Sequence, residues 1–140
     1  MFPVGDEKEF EQIIDDFERA GLVEKVGDKI NVEPLIAAVY SGIPAFALYL
    51  VSKGKGEEVL KTDDETLGGS TVISIVLAEL TIARARHGVE PGKAVIYDRE
   101  YVEKVALAAT LLAREAMGEK WLEKIGKTVK KTVEILLLNR

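Results

Sequence analysis

The sequence predicts an all-α, mainly helical fold: a compact bundle of five to six helices around a buried central helix over 70–87, with a small N-terminal β-hairpin over 22–32. Three observations predict it. Between Ser70 and Arg86 (STVISIVLAELTIARAR) apolar residues leave no polar stripe at the helical period, which marks a helix buried on every side. From Val105 to Ala113 (VALAATLLA) only Thr110 is polar, so a second segment is apolar all round. Over Glu119 to Leu138 the residues Leu122, Ile125, Val129, Val133 and Leu136 form an apolar stripe opposite Lys120, Lys124, Lys127 and Lys131, an amphipathic helix with a basic outer face.

Composition sets the bounds. A chain of 140 residues with 47% hydrophobic and 31% charged residues is long and apolar enough to fold as one helical domain with its own core. Three parts are expected within it: an acidic helix and hairpin (1–33), an apolar helical core (34–118) and the C-terminal amphipathic helix (119–140). A net charge of −5 offers no positive field to attract phosphate and makes nucleic acid an unlikely partner. With no cysteine and one histidine, disulfides, thiolate metal sites, zinc sites and nucleophilic triads drop out. Asn occurs only at 31 and 139 and Gln only at 12, while Glu and Lys abound, a composition like that of thermophile proteins. The first twenty residues carry seven acids and no apolar core of a signal peptide, so a cytoplasmic location is expected.

In chain order, Asp6-x-x-Glu9 has capping-box spacing and opens a helix whose stripe is Phe10, Ile13, Ile14 and Phe17, with Gly21 as its stop. LVEKV and KINV then flank Gly27-Asp28 as a hairpin with a two-residue turn. Helix followed by AGLVEKVGDKINV resembles the last helix and wing of a winged helix-turn-helix domain, over about the first 32 residues. A recognition helix must lie against phosphates, and Asp6 to Arg19 holds seven acids and two bases. An amphipathic helix followed by a packing hairpin is therefore the preferred reading.

Pro34 to Ser52 (PLIAAVYSGIPAFALYLVS) runs nineteen residues without a charge, about the length of a membrane span. Ser41, Gly42 and Pro44 interrupt it, so two short helices with a tight corner are predicted and no membrane partner is expected. Lys53 to Gly56 reads as a solvated hinge, Glu57 to Lys61 as a short helix or turn, and TDDETLGG as an exposed loop, with Ser70 or Thr71 capping the central helix. Beyond His87-Gly88, Pro91-Gly92 is a turn and β-prone Ala94 to Tyr97 reads as a strand beside the hairpin. Asp98 caps the next helix, which Gly118 ends.

Candidate chemistry is sparse. Asp63, Asp64 and Glu65 could present oxygens to a hard cation such as magnesium. Gly69, Ser70 and Thr71 at a helix start could hold an anion on free N–H groups. Glu79 is the one charge in the central helix before Arg84; as a buried acid it requires a partner, and Arg114 is the expected one. Arg84, Arg86 and His87 complement the negative end of that helix. No cofactor is implied.

The apolar helices encode more greasy surface than a small single domain hides readily. A homo-oligomer, most simply a two-fold dimer, is expected, and the function expected of it is a non-enzymatic protein–protein interaction or self-assembly module. One alternative is a binding protein or enzyme for an anionic small molecule or nucleotide, using loop 63–71, Glu79 and Arg84 to His87. A second is nucleic-acid binding through the lysines at 120, 124, 127 and 131.

Overall fold

The computed structural model describes residues 7–86 and 98–139, with side chains from Phe10 onward. The cap at Asp6, His87 and Gly88, the turn at Pro91-Gly92 and the strand at 94–97 lie outside the described residues. The elements run α1 (Glu7–Arg19), β1 (Glu24–Val26), β2 (Lys29–Asn31), α2 (Glu33–Ser52), α3 (Gly56–Lys61), α4 (Asp64–Arg86), α5 (Arg99–Met117) and α6 (Trp121–Leu138). The chain is mainly helical, and its central element is α4, which packs most extensively on α6 and also against α2, α5 and α1.

The amphipathic ends fold as their periodicity dictates. On α1, Phe10, Ile13, Ile14 and Phe17 are all buried and face α5 and α4. The hairpin pairs Glu24 with Asn31, Lys25 with Ile30 and Val26 with Lys29, across a turn at Gly27-Asp28. Gly27 has φ +64°, the left-handed value that a tight two-residue connection takes at its first position. Asp98 accepts the Glu100 N–H at 3.0 Å and caps α5, and Gly118, at φ 83°, ends it. On α6, Leu122, Ile125, Val129 and Val133 are buried, with Trp121 beside them at the first turn.

Two boundaries differ from expectation. The 34–52 run is one continuous helix rather than two with a corner, and Pro44 lies inside it. Pro44 has no N–H to give the Tyr40 carbonyl, yet Pro44 and Tyr40 are both exposed, so water can serve that carbonyl and the helix continues. Gly42 does not end a helix. It lets α2 approach α4, where a β-carbon would meet the Ile75 side chain at 2.9 Å.

The second difference concerns TDDETLGG. Helix α4 begins at Asp64, and Asp63 caps it by accepting the Thr66 N–H at 2.9 Å. Gly68 and Gly69 therefore lie within the helix. Gly68 is needed there because the α6 backbone passes directly over it: a β-carbon would sit 1.8 Å from the Leu122 carbonyl oxygen. Gly126 on α6 makes the reciprocal approach to Asp64, at 1.9 Å.

Candidate functional site

The three acids of the 63–65 cluster do not converge on a common point. Asp63 is held by Thr66, whose N–H and hydroxyl keep its carboxyl below the usual carboxylate range, with Lys130 adding to the effect. Asp64 meets the Lys130 ammonium at 2.8 Å, and Glu65 meets Arg114 at 3.1 Å. A cleft of about 460 Å³ lies between these residues and Glu123. Its cationic place is taken by Lys130, a residue that sequence reading grouped with no site. Among the described residues no cluster of three or more His, Asp or Glu side chains has the arrangement to hold a metal ion.

The anion cradle loses its geometry with the earlier helix start. Gly69, Ser70 and Thr71 sit in the second turn of α4 or beyond, where backbone N–H groups are committed to carbonyls one turn back. Thr71 is fully buried, and its hydroxyl donates to the Leu67 carbonyl at 2.7 Å. Ser70 and Arg84 are fourteen steps apart along continuous helix, about 20 Å at about 1.5 Å per residue. One small anion cannot touch both.

Glu79 is half-buried on α4. Its expected partner Arg114 bonds Glu65 instead, and Glu79 forms no ion pair among the described residues. Arg84 lies over the Tyr101 ring, 5.9 Å from its centroid, while Arg86 is exposed. Tyr101 in turn donates its hydroxyl to Asp16 on α1, which Arg19 approaches at 3.6 Å. Burial and the Asp16 carboxylate push the Tyr101 phenol well above its ordinary value. This half-buried knot joins α1, α4 and α5. Sequence reading missed it, because nothing local distinguishes Tyr101 or Asp16 from their neighbours.

Lys120, Lys124, Lys127 and Lys131 all face solvent along α6, and Lys127 reaches Glu123 at 3.9 Å. Among the described residues none of them pairs with the acidic first helix, and α1 packs chiefly on α5 and α4.

The surface that stands out is the outer side of α2. Its buried residues are Leu35, Val39, Ile43, Ala47 and Val51, a stripe one residue wide at every fourth position. After Glu33 the helix carries no charge; Ile36, Ala38, Phe46 and Leu50 pack partly against the core, and the rest of its outer side is open. Leu48 is 57% exposed, Tyr49 55% and Tyr40 41%, with exposed Pro44 and Ala45 between them and Ala37 before them. Helix α4 also turns Ser74, Ala78 and Ile82 outward. By length and composition alone, both α2 and α4 are long and apolar enough to cross a membrane.

Comparison of the chain with protein-family models, with curated proteins and with solved structures finds no match.

Proposed function

We propose that this protein is a non-enzymatic interaction module that works by assembling through the apolar outer side of its helices. One observation carries the reading: α2 has no charge from Pro34 to Ser52, yet only every fourth residue of it is fully buried, and Tyr40, Leu48 and Tyr49 stand exposed. Fully burying a Leu or Tyr-sized side chain is worth roughly 1.5–3 kcal/mol. Leu48, Tyr49 and Tyr40, each around half exposed, therefore leave on the order of 2–5 kcal/mol to be gained by association. Scattered apolar residues are ordinary on a surface, but a charge-free helix face about 30 Å long is not.

The reading is also supported by what the polar groups do. The acids of the 63–65 cluster are engaged by Thr66, Lys130 and Arg114, and Arg84 is engaged by Tyr101.

Size-exclusion chromatography with light scattering tests it. The expected mass is a multiple of the 15.4 kDa chain, falling only at high dilution. A mass of 15.4 kDa throughout the micromolar range, with no partner protein retained, overturns the proposal.

A further inference from the structure

We infer that the outer face of α2 docks on the same face of a second copy of this chain, the two helices running antiparallel about a two-fold axis near Pro44 and Ala45. This rests on the assembly reading above and adds the surface, the partner and the register.

Charge at the ends of α2 selects the partner and the direction. Glu33 opens the helix, and Lys53 and Lys55 follow its last turn; all three are exposed. Lys53 sits beside the apolar face, its ammonium 5.7 Å from the centre of the Tyr49 ring. Between these ends no charge interrupts the face. A parallel copy would set Glu33 beside Glu33 and lysine beside lysine. An antiparallel copy sets Glu33 against Lys53 and Lys55 of the partner subunit, and opposes the two helix dipoles as well. The face is thus complementary to itself in one orientation, as an isologous two-fold contact must be.

Side-chain size selects the register. Pro44 and Ala45 lie midway along the exposed face, with Tyr40 on one side and Leu48 and Tyr49 on the other. Crossing the helices at the small pair lets the backbones approach. In the same register Glu33 falls level with the lysines that follow the partner's helix. Lipid is the other occupant of an apolar face, and Tyr40 argues against it. Tyrosines of membrane helices gather at the two ends, by the headgroups, whereas Tyr40 stands in the middle third of α2.

The chain has no cysteine, so one introduced thiol reports a contact cleanly. The experiment makes Ala45→Cys at the axis, Ser74→Cys on the outer side of α4 and Lys124→Cys on the basic face of α6. Each is oxidised mildly, and the mass of the otherwise unaltered protein is followed by light scattering. The expected result is a disulfide-linked dimer with Ala45→Cys alone. Leu48→Glu and Tyr49→Glu are each expected to raise the dissociation constant by roughly thirtyfold or more, while far-ultraviolet circular dichroism reports unchanged helix. A chain that is monomeric and cross-links at no position overturns both this inference and the assembly reading. An oligomer that cross-links at Ser74 or Lys124 but not at Ala45, and that survives both glutamate variants, overturns the inference and leaves the assembly reading standing. Recovery in the membrane fraction, with detergent needed for extraction, overturns it in favour of lipid.

Discussion

Gly68 on α4 lies against the backbone of Leu122 on α6, so close that a β-carbon at position 68 would sit 1.8 Å from the Leu122 carbonyl oxygen. Gly126 answers it from the other helix, where a β-carbon would sit 1.9 Å from the Asp64 backbone carbonyl oxygen. The two glycines form a reciprocal pair that lets the central and C-terminal helices pack with backbones in contact. The acid that caps Lys130, Asp64, lies in the same place, and their 2.8 Å ion pair bridges the same crossing.

The first prediction follows from what must yield. Overpacking against a flexible side chain costs about 1–3 kcal/mol, and here the obstacle is backbone on both sides. Gly68→Ala and Gly126→Ala are each expected to cost about 3 kcal/mol or more, lowering the melting temperature by about 10 °C. Thermal unfolding followed by circular dichroism measures it. A shift below about 2 °C for both would show that the helices do not cross there.

The adjacent residue carries the opposite expectation. Gly69 lies within the same helix, has no positive φ, and a β-carbon there meets nothing within 4 Å. Gly69→Ala is therefore expected to stabilise the protein by about 0.4–1 kcal/mol, through the reduced freedom of the unfolded chain. Chemical denaturation of the pair Gly68→Ala and Gly69→Ala reads two signs from two neighbours. If residues 68 and 69 formed a loop, both changes would be close to neutral.

The Tyr101 phenol makes a prediction at high pH. Its hydroxyl donates to Asp16, and burial with that carboxylate disfavours the phenolate, so its value rises in the folded protein. For a group whose folded value is raised, the stabilisation is fully present below the unfolded value, about 10, and is lost as pH rises through the folded value. Wild-type stability is thus expected to fall between about pH 9 and pH 12, and Tyr101→Phe to flatten that fall while lowering stability near neutrality. Phenolate absorbance gives an independent reading: the difference between wild type and Tyr101→Phe should titrate above the ordinary tyrosine range. A difference curve centred near pH 10 would contradict it.

Asp63 makes the matching prediction in acid. Its carboxyl is lowered by the Thr66 N–H and hydroxyl at the start of α4. A depressed group stabilises the fold above its unfolded value, near 3.9, and the contribution is lost as pH falls through the folded value. Asn is as good a helix cap as Asp. Asp63→Asn is therefore expected to keep most of the stability at pH 7 and to lose its share of the acid sensitivity below about pH 4. Asp63→Ala should be less stable at both. Ser70→Ala, at the position where the sequence alone places the cap, should be close to neutral, and denaturant midpoints at the two pH values separate all three.

These residues also mark where the sequence was legible. Periodicity is a local property, so the stripes Phe10, Ile13, Ile14, Phe17 and Leu122, Ile125, Val129, Val133 could be read, and all of them are buried. Turn and cap chemistry is local too, and Gly27, Asp98 and Gly118 act as expected. Gly42, Gly68 and Gly126 were opaque for the converse reason. Their role is set by a partner far along the chain, and by propensity alone a glycine reads as a break. Misplacing the start of α4 then carried the anion cradle with it. The Glu79–Arg114 pairing failed on the same ground: which acid an arginine meets is a fact of packing, and Glu65 is the one in reach. The surplus of apolar surface on 34–52 was visible in the sequence, but the side of α2 left uncovered was not.

Pro44 turns that last point into an experiment. If α2 were two helices meeting at a corner, proline in the first turn of the second would be well placed, and replacing it would cost stability. In a continuous helix it is a defect: no N–H reaches the Tyr40 carbonyl, and proline in a helix interior is about 3 kcal/mol worse than alanine. Exposure of Pro44 and Tyr40 to water softens the defect without removing it. Pro44→Ala is accordingly expected to stabilise the chain by about 1–3 kcal/mol, measured at high dilution so that unfolding and not association is read. Amide hydrogen exchange adds a local test, because the new N–H at 44 should be protected to the same degree as those of Ile43 and Ala47 on either side. A destabilised Pro44→Ala with rapid exchange at residues 41–45 would restore the corner and divide the proposed docking face in two.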